Sequence, residues 1–264
     1  MLRASLLLLC SWLLVPAALA EPFDHSGWDA LLKQHVQPQG VTTVVDYAGF
    51  ATAQTCLQAY QDRLSGVKED EFDHWGDTEQ LAFLINAYNA WTVSLVLTAY
   101  PDITSIKDTG SLFSSPWHKV FIPLLGKTRS LDDIEHKLIR GSGRYNDPRI
   151  HFAVNCASIG CPALRPEAYS GDRLDAQLEE QTRLFLSDRS RNRLQGNVLR
   201  VSSIFKWYRD DFEKGWRGLY AQPSFFARHA AALGLSATDT KRLLAGGIDI
   251  EYEEYDWRLN AKNR

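Results

Sequence analysis

The chain lacks an excess of charge of either sign. Its 29 basic and 32 acidic side chains leave a formal charge of −3 over 264 residues. That balance gives no electrostatic case for nucleic acid, whose phosphates are met by clustered positive charge. No glycine-rich phosphate loop follows a strand, so no nucleotide cofactor is indicated. Internal repeats, low-complexity tracts and linkers are also missing. Long apolar runs are scarce: beyond the N-terminus there is only Ala82 to Ala99. That run carries Asn86, Asn89, Thr92 and Ser94, so it reads as a buried helix, not an integral membrane span. Cysteines number four.

What is present begins with an export pattern. Met1-Leu2-Arg3 is a basic start, Ala4 to Leu19 is apolar, and Ala18-Leu19-Ala20 offers small residues before Glu21. This is the form of a signal peptide over residues 1–20, too short for a comfortable span. The expectation is a periplasmic or secreted protein with one globular domain over residues 21–264. Cleavage would remove Arg3 and no acid, taking the charge from −3 to −4. Cys10 would leave too, and Cys56, Cys156 and Cys161 would remain. An odd number of cysteines leaves at least one unpaired internally, in a compartment that oxidises thiols.

The pattern predicts an α+β, helix-rich fold around a small sheet. Helices are expected over 22–75 around a short strand at 42–47. Asp77 with Gln80 has the form of an N-cap opening a central buried helix over about 78–100, stopped by Pro101. Residues 116–129 read as two short strands. Ser130 caps a helix over 131–140 whose apolar stripe, Leu131, Ile134, Leu138 and Ile139, encloses Glu135 with His136 beside it. A carboxylate on a buried face needs a partner. The run Arg149–Asn155 reads as a buried strand ending at Cys156. A helix over 171–187, a strand at 198–201, helices within 203–216, 223–233 and 238–244, and an aromatic, acidic arm over 248–260 complete the chain.

A thiol where a strand ends is placed to act outward from a rigid scaffold. Cys156 is the candidate nucleophile; it needs a base, and a third group to orient that base. His136 is the first candidate base and Glu135 the candidate acid. If residues 151–156 are extended, His151 lies roughly 16 Å from Cys156, which makes it the reserve base. Oxyanion donors are sought in the backbone after Cys156, or in Asn86 or Asn155. Two other readings compete. His151-x4-Cys156-x4-Cys161 falls near zinc spacing but lacks an evident fourth ligand. A Cys156–Cys161 bridge would remove the nucleophile, whereas Cys56–Cys161 would leave it free. Trp207, Tyr208, Trp216, Tyr252, Tyr255 and Trp257 read as core more readily than as the lining of a groove.

Several segments together resemble the uncharacterised-domain family DUF547 of bacteria and plants. They are Val45-Asp46-Tyr47, Ala82–Ala90, Leu131–His136, Arg149–Ser158, Trp207-Tyr208 with Asp211-Phe212, and Tyr255–Asn260. Leu84 stands where the family usually has Trp. The resemblance implies histidines at His136 and His151, an acid at Glu135 and a working thiol at Cys156. Plant members carry serine at the position of Cys161, which argues against zinc and against a Cys156–Cys161 bridge across the family. The family is suspected of resembling papain- or transglutaminase-like thiol hydrolases, with a different segment order here. The expected function is therefore a thiol hydrolase or acyltransferase acting on an amide or peptide-like bond of an unidentified peptide or small molecule. It has no implied cofactor or metal. The alternative is a non-catalytic binding or scaffold protein with a structural Asn/Glu/His network.

Overall fold

A computed structural model of the chain describes residues 21–110 and 114–262; the expected signal peptide lies outside them. The order is α1 (Ser26–His35), β1 (Val36–Gln39), β2 (Thr42–Val45), α2 (Tyr47–Thr52), α3 (Gln54–Gly66), α4 (Glu69–Asp73) and α5 (Asp77–Leu97). Then come β3 (Ile122–Leu124), β4 (Lys127–Arg129), a π-helix (Asp133–Arg140), a 3-10 turn (Pro148–Phe152) and α6 (Leu174–Ser187). The chain closes with β5 (Arg193–Gln195), β6 (Val198–Ser202), α7 (Ile204–Trp207), α8 (Arg209–Glu213), α9 (Gln222–Arg228), α10 (Ala230–Leu233), α11 (Ala237–Leu244) and β7 (Asp249–Glu253). The sheets are small: hairpins β1–β2 and β3–β4, and β5-β6-β7, in which β6 and β7 run parallel. This is the expected α+β, helix-rich architecture.

Helix α5 is central because it is apolar on every side; Phe83, Leu84, Ile85, Ala87, Ala90 and Leu95 are all fully buried. Its polar residues meet their needs internally. The Asn86 amide bonds both backbone groups of Tyr169, and Asn89 bonds the Ala153 carbonyl and the Asn155 N–H. Asn155 in turn donates to the Pro162 carbonyl and accepts from the Ala157 N–H. These amides are engaged with backbone, and neither Asn86 nor Asn155 is among the residues that line the cavity holding Cys156.

Two apolar clusters fill the interior, one around α5 and one rich in phenylalanine around α6 to α9. The segment Pro148–Val154 belongs to both: Ile150 and Val154 pack into the first, Phe152 into the second. The expected strand over 149–155 is not formed. Pro148 opens a 3-10 turn, where its fixed φ and missing N–H cost nothing, and the Asp147 carboxylate accepts the Arg149 N–H. A short apolar run does not by periodicity alone separate strand from buried helix, and here the Asp-Pro start decided the matter. The turn rises only about 2 Å per residue, so the objection to His151 that rested on an extended chain falls away.

The π-helix begins with a reciprocal cap. Ser130 Oγ accepts the Asp133 N–H at 3.0 Å and the Asp133 carboxylate accepts the Ser130 N–H at 2.9 Å. The wider turn keeps Leu131, Ile134 and Ile139 buried, as the stripe predicts, with Glu135 among them. π-Turns are rare and concentrate at functional positions. Finally, the closing arm ties the ends together: Asn260 bonds Val45 and Ala157 through backbone groups, while Ile159 and Gly160 donate to the Arg258 and Asp256 carbonyls. A Cβ on Gly160 would come within 2.9 Å of the Tyr255 ring, so the cysteine loop needs glycine to approach the arm.

Candidate active site

A cavity of about 180 Å³ opens where the two clusters meet, and Cys156, Cys161, Glu135, His136 and His151 all line it. All four predicted site residues are thus in one place. Their chemical states differ from the expectation in three ways.

First, Cys156 is not free. It is bonded to Cys161, and among the described residues the unpaired cysteine is Cys56, which is exposed on α3. The pairing that would have freed Cys156 is overturned, because the short loop folds back on itself. Ala157 takes a left-handed φ of 61°, the Cys156 N–H points at Cys161 Sγ (2.8 Å), and the Tyr255 hydroxyl lies 3.0 Å from Cys156 Sγ and 3.2 Å from Cys161 Sγ. The backbone N–H groups of Cys156 and Ala157 are therefore engaged and offer no oxyanion hole; Tyr255 is the available donor. Burial pushes its phenol well above the usual range, so the proton stays on at neutral pH.

Second, the two histidines are held differently. His151 is 2% exposed and its Nε2 lies 2.8 Å from Asp211 Oδ2. Burial would raise the Asp211 carboxyl, but hydrogen bonds from His151, Arg140 and Lys214 hold it far below the ordinary carboxylate range. An ionised carboxylate only accepts, so His151 carries its proton on Nε2 and leaves Nδ1 as a lone pair. Burial pushes the His151 pKa down, with Asp211 and Glu135 opposing, and the ring is neutral at pH 7. Nδ1 is buried and has no hydrogen-bond partner. The ring stacks on Tyr208 at 3.8 Å, which fixes its orientation. His136, by contrast, is 39% exposed at its side chain, and its Nδ1 lone pair is already taken by Arg140 at 2.8 Å. A base needs an open lone pair, and His151 has one where His136 does not.

Third, Glu135 orients neither histidine by a hydrogen bond. It is 4% exposed, and its Oε1 has no partner. The hydroxyl-bearing rings of Tyr88 and Tyr208 lie near it. Burial first, and then the Glu135 charge, push both phenols well above their usual range, so both remain protonated donors.

Asp211 was the residue missed. It lies within a segment that carries the family resemblance, but 60 residues beyond His151, and no local spacing couples the two. The aromatic residues divide. Trp216 is core, whereas Trp207, Tyr208, Tyr255 and Trp257 line the cavity, with Trp207 48% exposed. Trp207 and Trp257 stack at 5.9 Å and Tyr255 lies 4.5 Å from Trp257, forming a wall. Such a wall is invisible to periodicity, because α7 and the closing arm meet only in space. As for zinc, both sulfurs of the expected spacing are in the disulfide. Among the described residues no group of three His, Cys, Asp or Glu side chains is arranged to hold a metal.

The family model described as a protein of unknown function, DUF547, matches residues 72–186. The resemblance to DUF547 read from the sequence is thereby shown over that segment, which holds Glu135, His136, His151, Cys156 and Cys161 and leaves Asp211 and the aromatic wall beyond it. No curated protein and no solved structure matches the chain.

Proposed function

We propose that this is an exported thiol hydrolase or acyltransferase whose nucleophile, Cys156, is masked as a disulfide and becomes competent on reduction. The observation that carries the reading is the neutral, acid-anchored His151, its Nδ1 buried and unpartnered among the described residues, lining the same cavity as Cys156. An external dithiol would take the place of the Cys156–Cys161 bond, itself becoming a disulfide while both cysteines become thiols. Cys156 Sγ then adds to an amide carbonyl carbon as its proton passes to His151 Nδ1. The C–N bond breaks, the amine departs with that proton, and a thioester remains. Water, deprotonated by His151, or an amine acceptor then cleaves the thioester and regenerates the thiol. Asp211 keeps the imidazole in the required tautomer and stabilises its cation; Tyr255 donates to the oxyanion or thiolate.

The disulfide is also the observation that favours the second reading, a non-catalytic binding or scaffold protein over residues 21–264. One experiment separates the two. The protein is alkylated with iodoacetamide before and after reduction, and Cys56, exposed and remote, serves as the internal reference. The enzyme reading expects Cys156 to be silent before reduction. After reduction it should alkylate at least tenfold faster than Cys56 at pH 7, with an apparent thiol pKa below about 7.5. A reduced Cys156 that reacts no faster than Cys56 leaves the binding reading standing.

A further inference from the structure

The cavity has an electrostatic character that nucleophilic chemistry does not require. Its lining contains two carboxylates, Asp132 and Glu135, and no lysine or arginine. The strong cations around it lie outside the lining and are committed: Arg140 and Lys214 pair with Asp211, and Lys107 rests on the Trp257 ring. Asp132 meets only histidines, His118 at 2.6 Å and His136 at 3.7 Å. Among the described residues Glu135 forms no ion pair; the Tyr88 and Tyr208 hydroxyls serve its carboxylate, yet its buried Oε1 accepts no hydrogen bond. A carboxylate oxygen withdrawn from water without a donor is costly, and a cationic donor entering the cavity would remove that cost.

The walls suit the same visitor. Trp117 and Trp257 meet edge to face at 5.8 Å, and the Lys107 ammonium already sits 3.6 Å from the centre of the Trp257 ring. The chain's own side chain thus demonstrates that this aromatic rim takes a primary ammonium.

We infer that the cavity binds a primary ammonium group of its ligand, hydrogen-bonded to Glu135 Oε1, with Asp132 and the Trp117–Trp257 wall around it. That the ligand is a substrate rests on the proposed thiol chemistry, so the substrate class becomes an amine-bearing acyl compound or acyl acceptor. The binding itself does not depend on the thiol.

The test uses the oxidised chain, disulfide intact, titrated at pH 7 with benzylammonium, benzyl alcohol and benzoate and followed by intrinsic tryptophan fluorescence. Benzylammonium should bind at least tenfold tighter than benzyl alcohol, and benzoate more weakly than either. Glu135→Gln should cut benzylammonium affinity at least tenfold and leave benzyl alcohol unchanged. Should that variant not fold, Asp132→Asn, at a more exposed position, should cut the same affinity about threefold. Equal binding of the alcohol and the ammonium, or benzylammonium affinity unchanged in the folded variant, overturns the inference. An unreactive Cys156 after reduction, with benzylammonium still preferred, would remove the enzyme reading and leave this one intact.

Discussion

The chain buries charge in two places and treats it in opposite ways. At Arg149 the guanidinium is 2% exposed at its side chain and meets three carboxylates: Asp147 and Glu179 at 2.6 and 3.2 Å, and Asp175. The Trp216 ring covers its face at 4.7 Å. At the cavity, among the described residues, Glu135 Oε1 and His151 Nδ1 are buried with no hydrogen-bond partner. The stretch Asp147 to Cys156 supplies Asp147 and Arg149 to the first region and His151 and Cys156 to the second, while Glu135 comes from the π-helix. The difference is one of pairing: the Arg149 guanidinium meets three carboxylates, whereas the cavity keeps one open acceptor on each of Glu135 and His151, and the reading of the cavity as a ligand site is a proposal that rests on that openness.

The sharpest way to break this comparison is Arg149→Met. It leaves three carboxylates facing one another, and because Asp175 and Glu179 keep partial contact with solvent the loss should be about 3 kcal/mol, at the low end for a broken buried pair. Urea unfolding would read it, and a loss below about 1 kcal/mol would show that the knot is dispensable. Next comes the cavity: in reduced protein, Asp211→Asn should slow Cys156 alkylation about tenfold or more at pH 7, with little change at Cys56. His136→Asn should change it less than about threefold. The opposite order would return His136 to the place of base.

Acid draws on the cavity in two stages, through His151 and then through Asp211, and on the knot only in the second. Burial lowers the His151 pKa, so the unfolded chain binds that proton more readily. Stability held above about pH 6.5 is therefore lost as pH falls below that value. His25, pushed down to about 3 by burial, and His35 and His229 act in the same direction, so His151→Gln should remove only part of this slope. In the knot, hydrogen bonding to Arg149 lowers the Asp175 carboxyl, whose contribution is complete above about pH 4 and is lost only as pH falls below it. Thermal unfolding between pH 8 and pH 3 should thus decline in two stages, and Asp175→Asn should soften only the second. The smallest effect is expected for Cys56→Ser, an exposed helix position in neither region: within about 0.5 kcal/mol of the parent, with Cys156 labelling unchanged.

Much of the scaffold was legible in order and type. The all-round apolarity of Ala82–Ala99 announced a buried helix, Ser130 announced the cap, and residues 116–129 announced the two short strands β3 and β4. The candidate residues were legible as a set, since Glu135, His136, His151 and Cys156 do share a cavity. Their roles were not. Assigning a base required knowing which nitrogen was already occupied, and Arg140 on His136 and Asp211 on His151 are contacts of side-chain geometry. Asp147-Pro148 carried a signal for a helical start that a strand reading of the apolar run passed over.

The sequence by itself determined the balanced charge, the helix-rich α+β class, the central helix and which candidate side chains share the cavity, because these follow from composition, from motifs and from periodicities of a few residues. Only the tertiary structure decided that Cys156 closes on Cys161, that His151 and not His136 keeps an open lone pair, and that Glu135 faces an aromatic cavity unpaired. Those outcomes depend on side chains meeting with ångström accuracy, some 60 to 99 positions apart, as His151 with Asp211 and Cys156 with Tyr255, and some only four or five apart, as His136 with Arg140 and Cys156 with Cys161. Distances of that kind are set by packing, not by spacing along the chain.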